Sequence, residues 1–140
     1  MRIISSLLAL FYGVNGLVML FLPVFWYGTV PGVTATGPLN LHFVRDIGLG
    51  FLAASAALAL FTRCRDRRLL WPAVIFLAGH AMLHLVEIVS AGDFGSAEIR
   101  DLLLIVIPGL LPLVSLMARP RRRPEPDWTR GGTRMEKAGV

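Results

Sequence analysis

The chain reads as an all-α integral membrane protein, a four-helix antiparallel bundle. Three observations predict this class. Of its 140 residues 55% are hydrophobic and only 16% charged, against roughly 45–50% apolar residues in an ordinary soluble domain. The apolar residues fall in four long runs, each near the ~20 residues needed to cross a bilayer core. The links between the runs are short, as an antiparallel bundle requires. The predicted spans cover residues 3–27, 39–62, 69–91 and 99–118 of one transmembrane domain, 1–118. A basic tail follows at 119–140.

The first run is too long for the apolar core of a secretory signal. Val33-Thr34-Ala35 is the nearest approach to a cleavage site, and cleavage is not expected. Gly13 and Gly16 provide a small surface for a neighbouring helix. Tyr12 and Asn15 place polar atoms nearer mid-membrane, suited to helix-to-helix hydrogen bonds or, for Asn15, to support of a neighbouring polar site. Trp26 and Tyr27 stand where an aromatic belt forms.

The second run carries Gly48, Gly50, Ala53, Ala54, Ser55, Ala56 and Ala57. Gly50/Ala54 and Ala53/Ala57 are small-xxx-small pairs that permit close backbone approach. The third run offers Ala78 and Gly79 for the same purpose and begins near Trp71. The fourth contains Pro108-Gly109 and Pro112; a proline inside a helix removes a backbone donor and is expected to kink it.

Charge sets the orientation. Arg2 precedes the first run. Arg63, Arg65, Arg67 and Arg68 crowd the link between the second and third, while the other two links hold no basic residue. By the positive-inside rule both termini face the cytoplasm. Seven basic and three acidic residues lie from Arg119 onward. The net charge of +5 therefore belongs mainly to the tail, and no nucleic-acid-binding face is indicated. With three prolines and no apolar periodicity the tail is expected to be disordered. Arg119, Arg121, Arg122 and Arg123 are suited to anionic lipid headgroups. The lone Cys64 excludes an internal disulfide and a cysteine-rich zinc site. It reads as an ordinary reduced thiol.

The chemistry-bearing residues sort by depth. His42, Arg45 and Asp46 lie near the outer end of the second run. His80, His84 and Glu87 occupy the corresponding half of the third, and Arg100 and Asp101 that of the fourth. Ionisable groups at membrane depth cost roughly 2.5–3.5 kcal/mol each on insertion scales. His42/Asp46 at i, i+4 and His80/His84/Glu87 at i, i+4, i+7 each form one helical stripe, expected to face the bundle interior.

The leading expectation is an intramembrane metal site of His42, His80, His84, Glu87 and Asp46, holding Fe, Cu or Zn. Arg45, Asp101 and Asn15 would balance charge or orient ligands. Redox or metal-assisted chemistry would follow. A b-type haem between His42 and His80 or His84 is a further option. The second reading is a non-enzymatic accessory or scaffold subunit, in a homo-oligomer or larger membrane complex, with a structural polar network. The third is a proton-coupled small carrier.

The segments Leu41-His42-Phe43-Val44-Arg45-Asp46-Ile47-Gly48 and His80-Ala81-Met82-Leu83-His84-Leu85-Val86-Glu87 resemble those of small four-helix bacterial inner-membrane proteins of unknown function. The resemblance covers the membrane body and not the tail. It implies membrane location and bacterial origin and assigns no residue a role.

Overall fold

A computed structural model describes residues 2–92 and 94–118; the expected tail at 119–140 lies outside the described residues. The described chain is all-helical. α1 spans Arg2–Phe21, and α2 Pro23–Thr29 continues it after a break at Leu22. Pro23 opens α2, where its missing N–H costs nothing. α3 runs Leu41–Cys64, α4 Arg67–Ala91 and α5 Ser96–Met117, and these three with α1 are each long and apolar enough to cross a membrane.

Local chemistry explains the boundaries. The Asn40 side chain accepts from the Phe43 N–H at 3.1 Å and starts α3. Arg65 ends it in a left-handed conformation, φ 58°. Asp66 then accepts from the Arg68 N–H at 2.9 Å and opens α4 in a 3-10 turn. Gly92, at φ 68°, closes α4 as a residue without a Cβ does most cheaply. The Glu98 carboxylate accepts from the Gly95 N–H at 2.9 Å at the start of α5.

Two helices are widened internally. α4 contains a π turn at Val74–Ala78 and α5 one at Leu102–Val106. In α5 the Ile107 N–H reaches back to the Leu102 carbonyl immediately before Pro108. Pro108 cannot donate and its ring crowds the carbonyl four residues earlier, so a wider turn at that point absorbs the mismatch.

The long helices pack as a row of neighbours in the order α1, α3, α4, α5. α1 and α3 meet along their lengths: Arg2 donates to the Thr62 carbonyl at 2.9 Å, Ser55 Oγ donates to the Ala9 carbonyl at 2.6 Å, and Gly16 faces Gly48. A Cβ on Gly16 would lie 2.7 Å from the Gly48 carbonyl oxygen, so the helix backbones themselves are in contact. Gly50 serves the opposite neighbour, since a Cβ there would lie 2.6 Å from the Phe76 ring of α4. At the α4/α5 crossing a Cβ on Gly109 would lie 2.8 Å from the Leu77 carbonyl oxygen.

Gly13, Gly16, Gly50 and Ala54 thus serve as expected contact positions. Ala53 and Gly79 are exposed, and a Cβ on Gly79 would meet nothing within 4 Å. Helical spacing puts small residues on several faces, and packing used only some of them.

The core lies between α3 and α4, where Leu58, Leu70, Ala73 and Leu77 are fully buried. α3 seats on α4 through the segment 67–78 and makes no more than marginal contact with Gly79–Ala91 among the described residues. Close backbone approach between the two helices is therefore found along that segment, and beyond it the Phe51 ring meets that of His80. Outward, Ile3, Leu7, Leu10, Ile75, Leu83 and Leu103 are among many large apolar side chains left exposed. A surface of this kind suits lipid and not water.

The arginines at the opposite end do structural work that the charge pattern did not reveal. Arg67 Nη2 donates to the carbonyls of Ser115 and Leu116, at 3.1 and 2.5 Å, and to that of Ala118. These are orphan carbonyls of the last turn of α5, where a cation is favourable.

Replacing Gly16 by leucine is expected to force α1 from α3 and cost about 1–3 kcal/mol, read by denaturant titration in detergent. Gly28→Leu, where a Cβ would meet nothing within 4 Å, should stay within about 0.5 kcal/mol. Arg67→Gln should destabilise by roughly 1–2 kcal/mol and raise amide exchange at the end of α5. Arg63→Gln should do neither.

Candidate functional site

The polar residues of the Asn40 end divide into two groups. The first group lies on α3. His42 Nδ1 is 3.6 Å from Asp46 Oδ1, one helical turn away, and the His42 side chain is 89% exposed. Arg45 is exposed as well. The stripe expected from the i, i+4 spacing exists, but no facing helix covers it. Among the described residues His42 is in ring contact with neither His80 nor His84, and the three-histidine set is not assembled.

The second group lies between α4 and α5. His84 Nδ1 is 3.5 Å from Asp101 Oδ2 and 3.7 Å from Glu87 Oε2. Its side chain is 23% exposed, that of Asp101 24% and that of Glu87 74%. Arg100 holds the other oxygen of Asp101, with Nε and Nη2 at 2.9 and 2.8 Å from Oδ1. The Arg100 guanidinium also lies close to Gly32 in the α2–α3 connection, where a Cβ would be 2.8 Å from Nη2. The connection thus comes within reach of the Arg100 side chain of α5.

The environment of His84 is unusual in one atom. Nδ1 is buried and has no hydrogen-bond partner among the described residues. Both carboxylate oxygens stand beyond the usual 2.7–3.2 Å for an N–H···O hydrogen bond. Buried polar groups without partners are rare and costly, about 1–3 kcal/mol each. A bare lone pair there would be repelled by the two carboxylates, whereas an N–H at Nδ1 is attracted to them.

His80 sits behind His84, deeper along α4. Its ring edge meets the His84 ring at a centroid distance of 4.8 Å. On its other sides it lies over Phe76 (6.4 Å, near-parallel) and against the edge of Phe51 (5.8 Å). Phe51 in turn stacks on Tyr12 at 5.6 Å. A continuous run of rings thus crosses from α1 through α3 to the site. Phe51 and Phe76 were not among the sequence candidates, because a phenylalanine in an apolar run carries no signal beyond hydropathy.

Asn15 is engaged elsewhere. Its Oδ1 accepts from the Trp26 indole N–H at 3.0 Å, and its Nδ2 donates to the Met19 sulfur at 3.5 Å. It ties α2 to α1 and does not reach the histidines. Trp26 and Tyr27 are partly buried and bonded inward, the Tyr27 hydroxyl donating to the Gly37 carbonyl at 2.6 Å.

Among the described residues no three of His, Cys, Asp and Glu are arranged to hold a metal ion. The arrangement provides one partnerless imidazole nitrogen, one carboxylate locked by an arginine and one carboxylate open to the surroundings.

Arg100→Gln should expose Asp101 beside the imidazole and cost about 1–3 kcal/mol of stability, measured by unfolding in detergent. Arg45→Gln, on the uncovered stripe, should stay within about 0.5 kcal/mol. No known protein family, curated protein or solved structure matches the chain. Its function is read from this cluster alone.

Proposed function

We propose that the protein crosses a bacterial inner membrane four times as an antiparallel bundle, both termini cytoplasmic, and carries a proton-accepting His/carboxylate site in the outer half of the bilayer. This is the equipment of a small proton-coupled carrier. The helix pairings Arg2–Thr62, Ala9–Ser55 and Gly16–Gly48 support the antiparallel arrangement. The arginines around Cys64 support the orientation.

The observation that carries the reading is the buried Nδ1 of His84, which makes no hydrogen bond among the described residues and lies within ion-pair distance of two carboxylate oxygens, at 3.5 and 3.7 Å. With one proton added the ring is a cation, and both oxygens become its counter-charges. The charge balance supports a proton as occupant. Asp101 and Glu87 against Arg100 leave a formal −1 with neutral imidazoles. One proton brings the set to zero, whereas a divalent cation leaves it at +1, and low-dielectric surroundings favour the neutral sum.

A proton also requires only one base and a counter-ion, while a metal requires three or four ligands in a fixed geometry. Glu87, the most exposed member, is the entry group. His84 holds the proton, Asp101 is its partner, and Arg100 fixes Asp101.

A second reading, transition-metal binding, draws on the two imidazoles one turn apart on α4, 4.8 Å between ring centroids. Fe, Cu or Zn would be held by His80 and His84 with Glu87 or Asp101 completing the set once these side chains turn toward one another.

Proton uptake by the purified, reconstituted chain after an acid jump tests the proposal. Wild type should take up about one proton per chain more than His84→Gln. Equal uptake by wild type and His84→Gln would sink the idea. Stoichiometric metal after metal-replete growth, lost in His80→Ala/His84→Ala, would establish the second reading instead.

A further inference from the structure

At the end of the molecule opposite the histidine cluster, α1 and α3 leave an open groove of about 820 Å³ lined by Arg2, Ile3, Ser6, Leu7, Thr62 and Arg63. Among the described residues two guanidinium groups and no carboxylate line it. Arg2 is held in place, with Nε and Nη2 donating to the Thr62 carbonyl at 3.2 and 2.9 Å. A guanidinium has five N–H donors, so donors remain for another acceptor. Arg63 makes no hydrogen bond or ion pair among the described residues. The groove therefore concentrates uncompensated positive charge and free donors beside a fixed arginine.

Its lower lip is apolar and directional. Ile3 and Leu7 are exposed, and Leu10 and Val14 continue them at i+7 and i+11 on the same face of α1, also exposed. From Ile3 to Val14 this stripe runs roughly 16 Å at ~1.5 Å per residue. One leaflet of a bilayer core is about 15 Å deep, half of the ~30 Å total. A cationic groove at the head of an apolar track one leaflet long has the shape of a single phospholipid.

We propose that this groove binds the headgroup of an anionic phospholipid of the cytoplasmic leaflet. Its phosphodiester lies between Arg2 and Arg63, beside the Ser6 hydroxyl, and one acyl chain lies along Ile3, Leu7, Leu10 and Val14. Arginine suits this role because its planar donor fork matches phosphate oxygens. The site shares only the membrane placement with the proton-binding proposal and stands apart from the histidine cluster.

The test is native mass spectrometry of the full-length protein released from micelles containing equal phosphatidylglycerol and phosphatidylcholine. Wild type should retain one phosphatidylglycerol per chain, about tenfold in preference to phosphatidylcholine. Arg2→Gln/Arg63→Gln should lose that preference. Arg63→Gln alone, which leaves the Arg2–Thr62 bonds in place, should reduce it with no loss of thermal stability. Arg2→Lys/Arg63→Lys should keep part of it.

Unchanged preference in the double glutamine variant overturns the proposal. So does loss of preference on substituting Arg119, Arg121, Arg122 and Arg123 by glutamine, with the groove intact. Release of the protein from membranes by alkaline carbonate, without detergent, would instead overturn the membrane placement. The two failures are thus distinguishable.

Discussion

The seat of α3 between its two neighbours is the contact on which the rest depends. Gly48 and Gly50 lie two residues apart and so point to different sides of the helix. One receives the α1 backbone at Gly16, and the other receives the Phe76 ring of α4. Between apolar segments in an apolar solvent, hydrophobic burial provides little discrimination, and close packing and polar bonds must supply it. Without a Cβ at these positions the helices approach closely enough for the Ser55 hydroxyl to reach the Ala9 carbonyl. Phe51 then lies between Tyr12 and Phe76.

That seat also governs the polar end. Because α3 grips α4 through Phe76 and the residues before it, the upper part of α4 turns to α5 for company. His84 accordingly finds Asp101, and Asp101 finds Arg100. The π turns lie next to this cluster, one ending just before Gly79 and His80 and the other beginning just after Asp101. Each inserts a wide turn that resets which side chains face the partner helix. The cost of placing charges among apolar side chains is offset within the α4/α5 pair, while the α3 stripe remains uncovered.

Much of this was legible in residue patterns. The four spans are visible because hydropathy is a sum over local residues, and their observed ends differ from expectation by a few positions at caps such as Asn40 and Asp66. The stripe His80/His84/Glu87 was visible because helical period is local too. The placement of Arg67 on the α5 carbonyls was not, since an arginine in a short link is equally consistent with simple orientation. Nor was the separation of His42 from the other histidines. Equal depth on two helices is necessary for contact, but the facing direction depends on how both helices rotate.

The sequence by itself determined the helical class, the lengths of the apolar segments and the residues that share a face, all consequences of a 3.6-residue period and of side-chain hydropathy. Tertiary structure alone decided which faces meet. It joined His84 to Asp101, left His42 with Asp46, gave Asn15 to Trp26 and set Arg2 on Thr62 at the mouth of a groove. The physical reason is that helix rotation and crossing are set by the fit of whole side chains and bare glycine backbone across an interface. A fit of that kind is a property of pairs of segments and of no segment alone.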